Sequence, residues 1–468
     1  MQEKKLSEKC GVVGIYHPYE EVASTTFYSL FSLQHRGQES AGIATSDGSY
    51  VYEYKNLGLI NQVFDENKIS KLKGNISIGH TRYSTTGTNS LNNSQPIKAT
   101  GINGDLYLGH NGNIINVEEI IGILNSWGIS SFNTTSDSEL IALMYANSPG
   151  LTWSERSKFV MSRLKGAYSL VMLTLDSLIC VRDPHGIRPL VLGKFREGYV
   201  VASETCALDH IGATFIRELD PGETLEIKDN EIRSHVMKNG SKTSLCSFEQ
   251  IYLSRPDSIL DGELTYSRRM NMGKILAEEH PVEADLVIAV PDSATASAVG
   301  YSNKSGIPFV EGLVKNRYVG RTFISPDQKL REIGVRIKFN TLDSVIRGKK
   351  IILIDDSIVR GTTTPQVIRM IKNAGAKEVH VRVASPPIIS TCHFGVDTGR
   401  SDELIAAKLS VEEIKDEIGA DSLKYLSING LKNSIDYKGN YCLGCFTKNY
   451  PIPVQLEMDK MKLEGGKN

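Results

Sequence analysis

Two adjacent carboxylates, Asp355 and Asp356, precede a short stretch that contains a glycine and three threonines. Paired carboxylates can accept hydrogen bonds from vicinal ribose hydroxyls. They can also help to hold magnesium, which prefers a few carboxylate ligands and keeps much of its water. The glycine permits a tight turn, and the threonines offer N–H groups and hydroxyls at a helix start, where phosphate binds well. The stretch therefore predicts a site for a sugar phosphate with a magnesium ion. Its predicted residues are Asp355, Asp356, Ser357, Arg360, Gly361, Thr362, Thr363 and Thr364.

A second stretch of the chain repeats this order of apolar strand, polar turn and helix. Ala284–Val290 predicts a strand, and Asp292 and Ser293 follow it before a run of small residues. A diphosphate with its metal needs partners on two sides, which two neighbouring strand ends would supply. We therefore expect Asp292 and Ser293 to complete the phosphate site, with Ser293 as a further magnesium ligand. An ordinary N-capped helix is the alternative.

A basic segment lies between these two stretches. Residues 315–331 are dense in lysine and arginine around Gly320 and Pro326. Cations flanked by hinge-like residues suit a lid that closes over a polyphosphate and excludes water, with Lys315 and Arg331 in contact with it. A solvated basic loop is the alternative, and charge alone favours it.

The front of the chain offers a different chemistry, centred on the thiol of Cys10. If Met1–Lys9 are removed, Cys10 becomes the first residue, and its α-amine, with an ordinary pKa of about 8, can activate the thiol. The thiolate would attack a carboxamide, form a thioester and release ammonia. The oxyanion formed on the way needs fixed donors, and we predict the side-chain amide of Asn111 and the backbone N–H of Gly112 for this role. For Cys10 alone, a small buried residue on a strand is the alternative.

Three further polar residues suit the amino-acid end of such a carboxamide. Arg82 can pair with an α-carboxylate in a bidentate way. Asp137 can pair with the ammonium group. Arg36 is predicted as a further polar support near the nucleophile.

The elements that must position these groups differ between the two parts of the chain. Residues 10–240 contain short strand-like runs, such as Gly11–Tyr16 and Leu178–Arg182, and predict a mainly antiparallel layered α/β domain. From Leu264 onward helices and strands alternate, with a helix predicted over Tyr266–Glu279 and a second one that starts over Asp292–Tyr301. Ile351–Ile354 predicts a strand that is buried on both faces of a parallel sheet, with the chemistry at its carboxyl end. The predicted organisation is a removable leader over residues 1–9, a first domain over 10–240 and a second over 260–468.

Composition narrows the classes of function. The chain has 468 residues, enough for two or three domains, and a net charge of −1, which argues against nucleic acid as a partner. No apolar run approaches the roughly 18 residues of a membrane span. The N-terminal segment lacks the apolar centre of a secretory signal. We therefore expect a cytoplasmic protein without a membrane partner.

Together these segments resemble one family closely, the glutamine phosphoribosylpyrophosphate amidotransferases. The stretch Ile351–Thr364 is similar to the phosphoribosyl pyrophosphate (PRPP) loop of type I phosphoribosyltransferases. The segments around Cys10, Asn111 and Asp137 are similar to the N-terminal-nucleophile glutaminase domain. Arg182–Pro189 and Glu249–Tyr252 also look like segments of the family. The resemblance implies an αββα glutaminase domain followed by a type I phosphoribosyltransferase domain with a central parallel sheet and a helical C-terminal segment.

The resemblance also implies an activity and partners. Ammonia from glutamine, bound by Arg36, Arg82 and Asp137 and cleaved at Cys10, would pass internally to C1 of PRPP. The products would be 5-phospho-β-D-ribosylamine, glutamate and pyrophosphate, in the first step of de novo purine synthesis. A homotetramer and feedback by purine nucleotides are implied in the same way.

The seven cysteines are widely spaced, which fits metal or catalytic roles better than a disulfide framework. Cys442 and Cys445 have the two-residue spacing of a tetrahedral metal centre, and by themselves could equally be half of a zinc site. Cys180 and Cys206 occupy apolar, strand-like settings and are predicted to be core residues. The resemblance implies a [4Fe-4S] cluster, with zinc as the alternative. Its implied ligands are Cys246, Cys392, Cys442 and Cys445.

Two other functions are weighed against this one. A PRPP-sensing regulator without turnover would not need the complete set of Cys10, Arg82, Asn111 and Asp137. It would also need a basic DNA-binding extension, which the sequence lacks. A different amidotransferase is the second: asparagine synthetase would need a Ser-Gly-Gly nucleotide loop, which is absent, and the PRPP loop would have no role in a glucosamine-phosphate synthase. A small departure from the resembled family is His393, where an aromatic residue is usual.

Overall fold

The computed structural model describes residues 10–83, 90–237, 240–316 and 338–454. Its first half contains two antiparallel β-sheets, and its second half is organised around a smaller parallel sheet. Among the helices in these ranges, none combines the length and the apolar character needed to cross a membrane. The predicted leader, residues 1–9, and most of the predicted lid, including Arg331, lie outside the described residues.

The strands of the first half are β1 (Gly11–Tyr16), β2 (Ser40–Ser46), β3 (Val51–Leu57), β4 (Ile76–Arg82), β5 (Ile97–Gly101), β6 (Gly104–Ile114), β7 (Gly166–Leu173), β8 (Leu178–Arg182), β9 (Val191–Phe195), β10 (Gly198–Ala202), β11 (Thr214–Glu218), β12 (Glu223–Lys228) and β13 (Glu231–Val236). The helices are α1 (Ala23–Ser32), α2 (Ile60–Val63), α3 (Glu66–Ile69), α4 (Val117–Ser126), α5 (Asp137–Asn147), α6 (Trp153–Met161) and α7 (Cys206–Asp209).

The two sheets of the first half pack face to face. One has the strand order β11-β9-β10-β1-β4-β2-β3 and the other β13-β12-β8-β7-β6-β5. Buried side chains such as Val12, Val171 and Leu178 fill the space between them. Gly14 allows the close approach, because a Cβ there would lie 2.7 Å from Cδ1 of Leu178 in the opposite sheet. This packing brings β1 and β4 against β6. Arg82 lies on β4, Asn111 and Gly112 lie on β6, and Cys10 directly precedes β1.

Helices cover the outer face of each sheet. Leu30 of α1 packs with Ile43 on the first sheet, and Leu124 of α4 packs with Leu140 of α5 and Leu108 on the second. The predicted αββα arrangement is therefore confirmed. The inner strands β1, β2, β4 and β7 are buried along their whole length, because both of their faces are covered, whereas the edge strands β3, β11 and β13 are partly exposed.

The strands of the second half are β14 (Leu245–Cys246), β15 (Ile259–Leu260), β16 (Glu263–Leu264), β17 (Leu286–Ala289), β18 (Leu313–Lys315), β19 (Phe339–Thr341), β20 (Lys350–Asp355), β21 (Glu378–Val383), β22 (Ser422–Tyr425) and β23 (Tyr441–Cys442). The helices are α8 (Thr265–Glu279), α9 (Thr295–Ser305), α10 (Asp343–Ile346), α11 (Thr364–Asn373), α12 (Val411–Ile418), α13 (Ile428–Ser434) and α14 (Gly444–Thr447), with a π-helical turn over Glu249–Leu253.

The central sheet of the second half has the order β17-β20-β21-β22, and all its pairs are parallel. Ile351–Ile354 on β20 is completely buried, with alternate side chains in the cores on the two faces. The expected strand with two buried faces is thus confirmed. Its carboxyl end leads into Asp355 and Asp356, beside the end of β17.

Local predictions vary in their accuracy. The helix expected over Tyr266–Glu279 is confirmed as α8, whereas the helix expected from Asp292 begins only at Thr295, because the residues after β17 form a turn. The strand-like setting expected for Cys206 is wrong, since this buried residue opens the short helix α7. Cys180 is buried on β8, as expected.

A two-residue parallel pairing ties the join between the halves to the C-terminal region. Leu245 of β14 lies opposite Tyr441 of β23, and Cys246 lies opposite Cys442. The predicted domain limits at 240 and 260 flank this join and remain predictions.

Candidate active sites

Cys10 lies directly before β1, at the end of the sandwich where β1 pairs with β4. Its thiol donates a hydrogen bond of 3.5 Å to the carbonyl oxygen of Tyr83. Burial raises the pKa of the Cys10 thiol to about 11, while Arg82 lowers it and Asp137 raises it. The charges of Arg82 and Asp137, the residues predicted to bind the two ends of the substrate amino acid, therefore both act on the thiol. While Met1–Lys9 are attached, the nitrogen of Cys10 is a peptide nitrogen and cannot act as the predicted α-amine base.

The strand β6 brings Asn111 and Gly112 to the same end of the sandwich. Asn111 is completely buried, and neither its Nδ2 nor its Oδ1 has a hydrogen-bond partner among the described residues. A buried amide without a partner is costly, and this one has the chemistry expected of a donor to an oxyanion. Gly112 lies so close to β7 that an added Cβ would come within 1.9 Å of the carbonyl oxygen of Ala167. Only glycine therefore fits at this position.

Asp137 is the first residue of α5, and its position is fixed by β6. Its Oδ2 accepts a hydrogen bond of 3.0 Å from the backbone N–H of Ile114, and its Oδ1 lies 3.7 Å from Nδ1 of His110. The structure thus brings Cys10, Arg82 and Asp137 together with β6. Their arrangement suits a small amino acid with a reactive carboxamide.

Arg36 requires a correction. The sequence predicts it as a glutamine contact, but its guanidinium is 1% exposed and is enclosed by two carboxylates. Nη2 lies 2.7 Å from Oε2 of Glu249, and Nε is bonded to Oε1 of Glu204. Burial lowers the pKa of Arg36, but the two carboxylates raise it by more, so the pKa lies above its ordinary value. Its charge is already balanced inside the protein, and this argues for a structural role near the site instead of a direct contact with substrate.

This pair is part of a buried chain of charges that sequence reasoning missed. Nη1 of Arg188 lies 3.0 Å from Oε1 of Glu249, and Nη2 of Arg188 donates to the carbonyl oxygen of Phe394 at 2.6 Å. Arg188 and Glu249 both fall in segments that resemble the family, which was the available signal. The sequence contains no such signal for Glu204, because a single glutamate among small polar residues is typical of a solvated surface.

The second predicted centre forms at the ends of β17 and β20. The backbone N–H of Val290 donates to the carbonyl oxygen of Ile354 at 2.9 Å, so the two strands continue side by side to their ends. Beyond them the Ser293 hydroxyl donates to Oδ2 of Asp356, and the backbone N–H of Asp356 donates to Oδ1 of Asp355 at 3.0 Å. The structure therefore brings the three predicted magnesium ligands together, and their oxygen-only chemistry fits that ion.

The rest of the loop is arranged around the same strand end. Gly361 has φ +69, a left-handed conformation that favours glycine, and Thr364 begins α11. Arg360 is paired with Glu403 at 2.9 Å. Lys315 is paired with Asp292 at 2.6 Å. The remaining predicted loop residues, Ser357, Thr362 and Thr363, lie between β20 and α11.

Arg269 is a further charged residue that the sequence did not single out. It is buried in α8 and donates to the carbonyl oxygens of Gln250, at 2.9 Å, and Ser254, at 2.7 Å. Burial lowers the pKa of Arg269 to about 10, and Asp356 opposes this change. The residue therefore links the π-helical turn to the acidic centre. Its position in a helix with mixed polarity gave no sign of this.

The four predicted ligand cysteines converge in the core of the second half. Burial raises the pKa of Cys445 well above its ordinary value, and Cys442, Cys246 and Cys392 add to the increase, so the four thiols are close in space. Within the described ranges, however, no group of three or more His, Cys, Asp or Glu side chains is arranged so that it could hold a metal ion. The four thiols therefore lie near one another, and the arrangement of the described residues does not by itself identify a metal site.

Comparison with known proteins agrees with both centres. A glutamine amidotransferase domain model matches residues 80–210, and a phosphoribosyl transferase domain model matches residues 258–385. Fold and sites thus define a glutamine amidotransferase joined to a phosphoribosyltransferase in one chain. The amidophosphoribosyltransferase of Synechocystis sp. is 49% identical over 465 residues, 98% of this chain and 94% of the relative. That of Bacillus subtilis is 48% identical over 457 residues, 96% of each chain. The chain belongs to the amidophosphoribosyltransferase family.

Solved structures give the same result for the fold. A glutamine PRPP amidotransferase from Bacillus subtilis, complexed with ADP and GMP, has a TM-score of 0.90 at 47% identity and covers 96% of this chain and 99% of its own. A structure described as the allosteric regulatory enzyme of purine biosynthesis has a TM-score of 0.91 at 47% identity, with 96% and 97% covered. The expected fold class and family are therefore confirmed, and the family's place is in purine biosynthesis.

Proposed function

We propose that the chain makes 5-phospho-β-D-ribosylamine from glutamine and PRPP, with glutamine cleaved at Cys10. The observation that carries this proposal is the buried Asn111 amide, which has no hydrogen-bond partner among the described residues and lies on β6, a strand in contact with β1. Family membership supplies the overall reaction. The contacts of the described residues support the roles of individual side chains.

The glutaminase reaction follows from the chemistry of Cys10 after the loss of Met1–Lys9. The freed α-amine takes the thiol proton, and the thiolate attacks the carboxamide carbon of glutamine. The Gly112 N–H and the Asn111 amide donate to the oxyanion, and Arg82 and Asp137 hold the two ends of the amino acid. The C–N bond breaks and ammonia leaves with the proton from the amine. Water then hydrolyses the thioester to glutamate and restores the thiol.

Ammonia then replaces pyrophosphate at C1 of PRPP. Asp355 and Asp356 accept hydrogen bonds from the ribose hydroxyls and, with Ser293, would hold magnesium. The bound ion would supply charge neutralisation for the leaving pyrophosphate. Thr362–Thr364 bind the 5-phosphate at the start of α11. We assign Asp292 and Lys315, which are paired with each other, to the pyrophosphate side. The predicted lid, most of which lies outside the described residues, would exclude water and keep ammonia from being lost as ammonium.

The four gathered cysteines support a [4Fe-4S] cluster in the second half. Zinc, held by the same four thiolates, is the alternative, because it also takes four sulfur ligands. A bound cluster would supply four strong bonds that fasten Cys246, Cys392, Cys442 and Cys445 to one another.

Regulation, assembly and compartment are proposed by analogy. The relative from Bacillus subtilis was solved with ADP and GMP, and we infer that purine nucleotides of this kind bind here as feedback inhibitors. A homotetramer and a cytoplasmic location remain predictions of the resemblance and of the composition.

The test of the two-centre proposal uses Cys10→Ala. This variant should make no phosphoribosylamine from glutamine but should still make it from PRPP and high concentrations of ammonia. Cys180→Ala is the matched control, because Cys180 is a buried cysteine of the same half and should keep both activities. Glutamine-dependent product from Cys10→Ala would refute the assignment of the nucleophile.

The test of the leader and cluster uses protein purified without oxygen. Intact mass should show the loss of Met1–Lys9, and iron and sulfide should each be present at about four per chain. Cys445→Ser should lose iron, whereas Cys206→Ser should keep it. Stoichiometric zinc without iron would replace the cluster by the zinc alternative.

A further inference from the structure

We propose that a loop of the second half, Cys392–Gly395, is a positioning element for the oxyanion site of the first half. The proposal rests on the proposed function, in which Asn111 and Gly112 are the donors. It assigns a role in glutamine cleavage to His393, Phe394 and Gly395, three consecutive residues of the phosphoribosyltransferase half. Each of the three meets the glutaminase half at a different point.

The closest of these approaches joins two glycines. A Cβ added at Gly395 would lie 2.9 Å from the carbonyl carbon of Gly112, 3.0 Å from its carbonyl oxygen and 3.3 Å from its Cα. All three are backbone atoms, which cannot turn aside as a side chain can. Gly395 also has φ +92, which favours glycine. The loop is therefore in backbone contact with the residue proposed to stabilise the oxyanion.

Gly112 is also close to β7 of its own sheet. A Cβ added at Gly112 would lie 1.9 Å from the carbonyl oxygen of Ala167. Gly112 thus contacts both β7 and Gly395 of the other half. A displacement of the loop removes one of these two contacts from the residue whose N–H is proposed as a donor.

Three hydrogen bonds from two residues hold the loop beside this contact. Asn113, the neighbour of Gly112, donates from Nδ2 to the carbonyl oxygen of His393 at 3.0 Å. Arg188 donates to the carbonyl oxygen of Phe394 from Nη2 at 2.6 Å and from Nε at 3.2 Å. Since both donors belong to the first half and both acceptors are loop carbonyls, the loop is fixed as part of the wall of the glutaminase site.

The loop is expected to affect the position of the oxyanion donors more than the binding of glutamine. Donors to an oxyanion act because they are fixed before the reaction, and removal of one costs about 10²–10³ in kcat. A misplacement of about 1 Å can cost about 10². Disturbance of the loop should therefore lower the rate of glutamine cleavage while glutamine still binds through Arg82 and Asp137. The loop starts at Cys392, so the state of the gathered cysteines has a direct mechanical route to the first centre.

The decisive experiment compares Gly395→Ala with Gly104→Ala in the processed full-length enzyme. Gly104 has φ +91, almost the same as Gly395, but a Cβ there would meet nothing within 4 Å. Both variants carry the same backbone strain, and only Gly395→Ala pushes on Gly112. We expect Gly395→Ala to lower kcat for glutamine hydrolysis by about 10–100-fold with KM for glutamine little changed, and Gly104→Ala to match the wild type.

Two further readouts separate positioning from general damage. Ammonia-dependent synthesis and the rate of Cys10 alkylation by iodoacetamide should be unchanged in Gly395→Ala, because neither uses the oxyanion donors. Asn113→Ala, which removes one fastening bond without adding bulk, should show a smaller loss of kcat in the same direction. Equal glutamine kinetics in Gly395→Ala and Gly104→Ala would overturn the proposal.

Asn111→Ala distinguishes failure of this inference from failure of the proposed function. If Asn111→Ala cleaves glutamine normally, the oxyanion assignment itself is wrong. If Asn111→Ala is impaired while Gly395→Ala matches its control, the assignment stands and only the positioning role of the loop fails. Loss of ammonia-dependent activity in Gly395→Ala would also count against the proposal, since the effect would not be confined to the first centre.

Discussion

Glu249→Gln removes the charge at the centre of the buried chain while it nearly preserves the size of the side chain. In the wild type its two oxygens meet Arg36 at 2.7 Å and Arg188 at 3.0 Å, and all three side chains are at most 1% exposed. After the substitution Arg36 keeps Glu204 as a carboxylate partner, whereas Arg188 loses the carboxylate with which it is paired. Loss of one partner from a buried ion pair costs about 3–5 kcal/mol, because the remaining charge stays buried without compensation.

The magnitude can be checked against an exposed pair of similar length. Glu20 lies 2.5 Å from Arg196, with the two side chains 48% and 63% exposed, and exposed pairs contribute about 0–1 kcal/mol. Glu20→Gln is therefore the control. In a domain of 150–250 residues, 1 kcal/mol shifts Tm by about 2–4 °C, so Glu249→Gln should lower Tm by about 6–20 °C. Thermal scans of both variants at one fixed rate would measure the difference.

The pH dependence of this difference has a definite sign. Burial raises the pKa of Glu249, but Arg36 and Arg188 more than offset this, so its pKa lies below the ordinary value of 4.5. Such a carboxylate contributes stability above its unfolded-state pKa and loses it as pH falls through its folded-state pKa. The gap between wild type and Glu249→Gln should be complete at neutral pH and shrink in acid. If Glu249→Gln costs no more than Glu20→Gln at pH 7, the buried chain does not stabilise the protein as argued.

Three further predictions concern single sites. In the chain that retains its leader, the Cys10 pKa of about 11 predicts alkylation by iodoacetamide that rises about tenfold per pH unit from pH 7 to pH 10; a plateau near pH 8.5 would contradict it. Ile354→Ala should cost about 2–5 kcal/mol in denaturant unfolding, because Ile354 is fully buried on β20; a loss below about 1 kcal/mol would show that the core closes around the cavity. Asp355→Asn should lower kcat/KM for PRPP by about 10²-fold or more while glutamine hydrolysis continues; normal turnover would refute the ribose and magnesium roles.

The parts of the site that sequence predicts well are those in which neighbours along the chain carry the chemistry. Asp355, Asp356 and Gly361 follow one buried strand, and a parallel sheet leaves little choice about where its polar end lies. The pairing of Ser293 with Asp356 was predictable for the same reason, because both follow adjacent strands. The local pattern and the fold agree at these positions.

Residues that act through partners far away in the chain were harder to predict from the sequence. Arg36 reads as a polar contact near the nucleophile, and nothing nearby in the chain reveals that Glu249 and Glu204 neutralise it. The contact of Gly395 with Gly112 depends on how the halves dock, which no local periodicity encodes. A glycine in a loop predicts a turn, and only the assembled structure shows that it also provides space for another backbone.

The pairing of β14 with β23 places the segment that enters the second half beside Tyr441 and Cys442, almost two hundred residues later in the chain. A unit in which two such distant segments are adjacent can be reconnected there without stretching the chain between them. The second half is therefore a suitable starting point for circular permutation, with the new connection placed beside this short ladder.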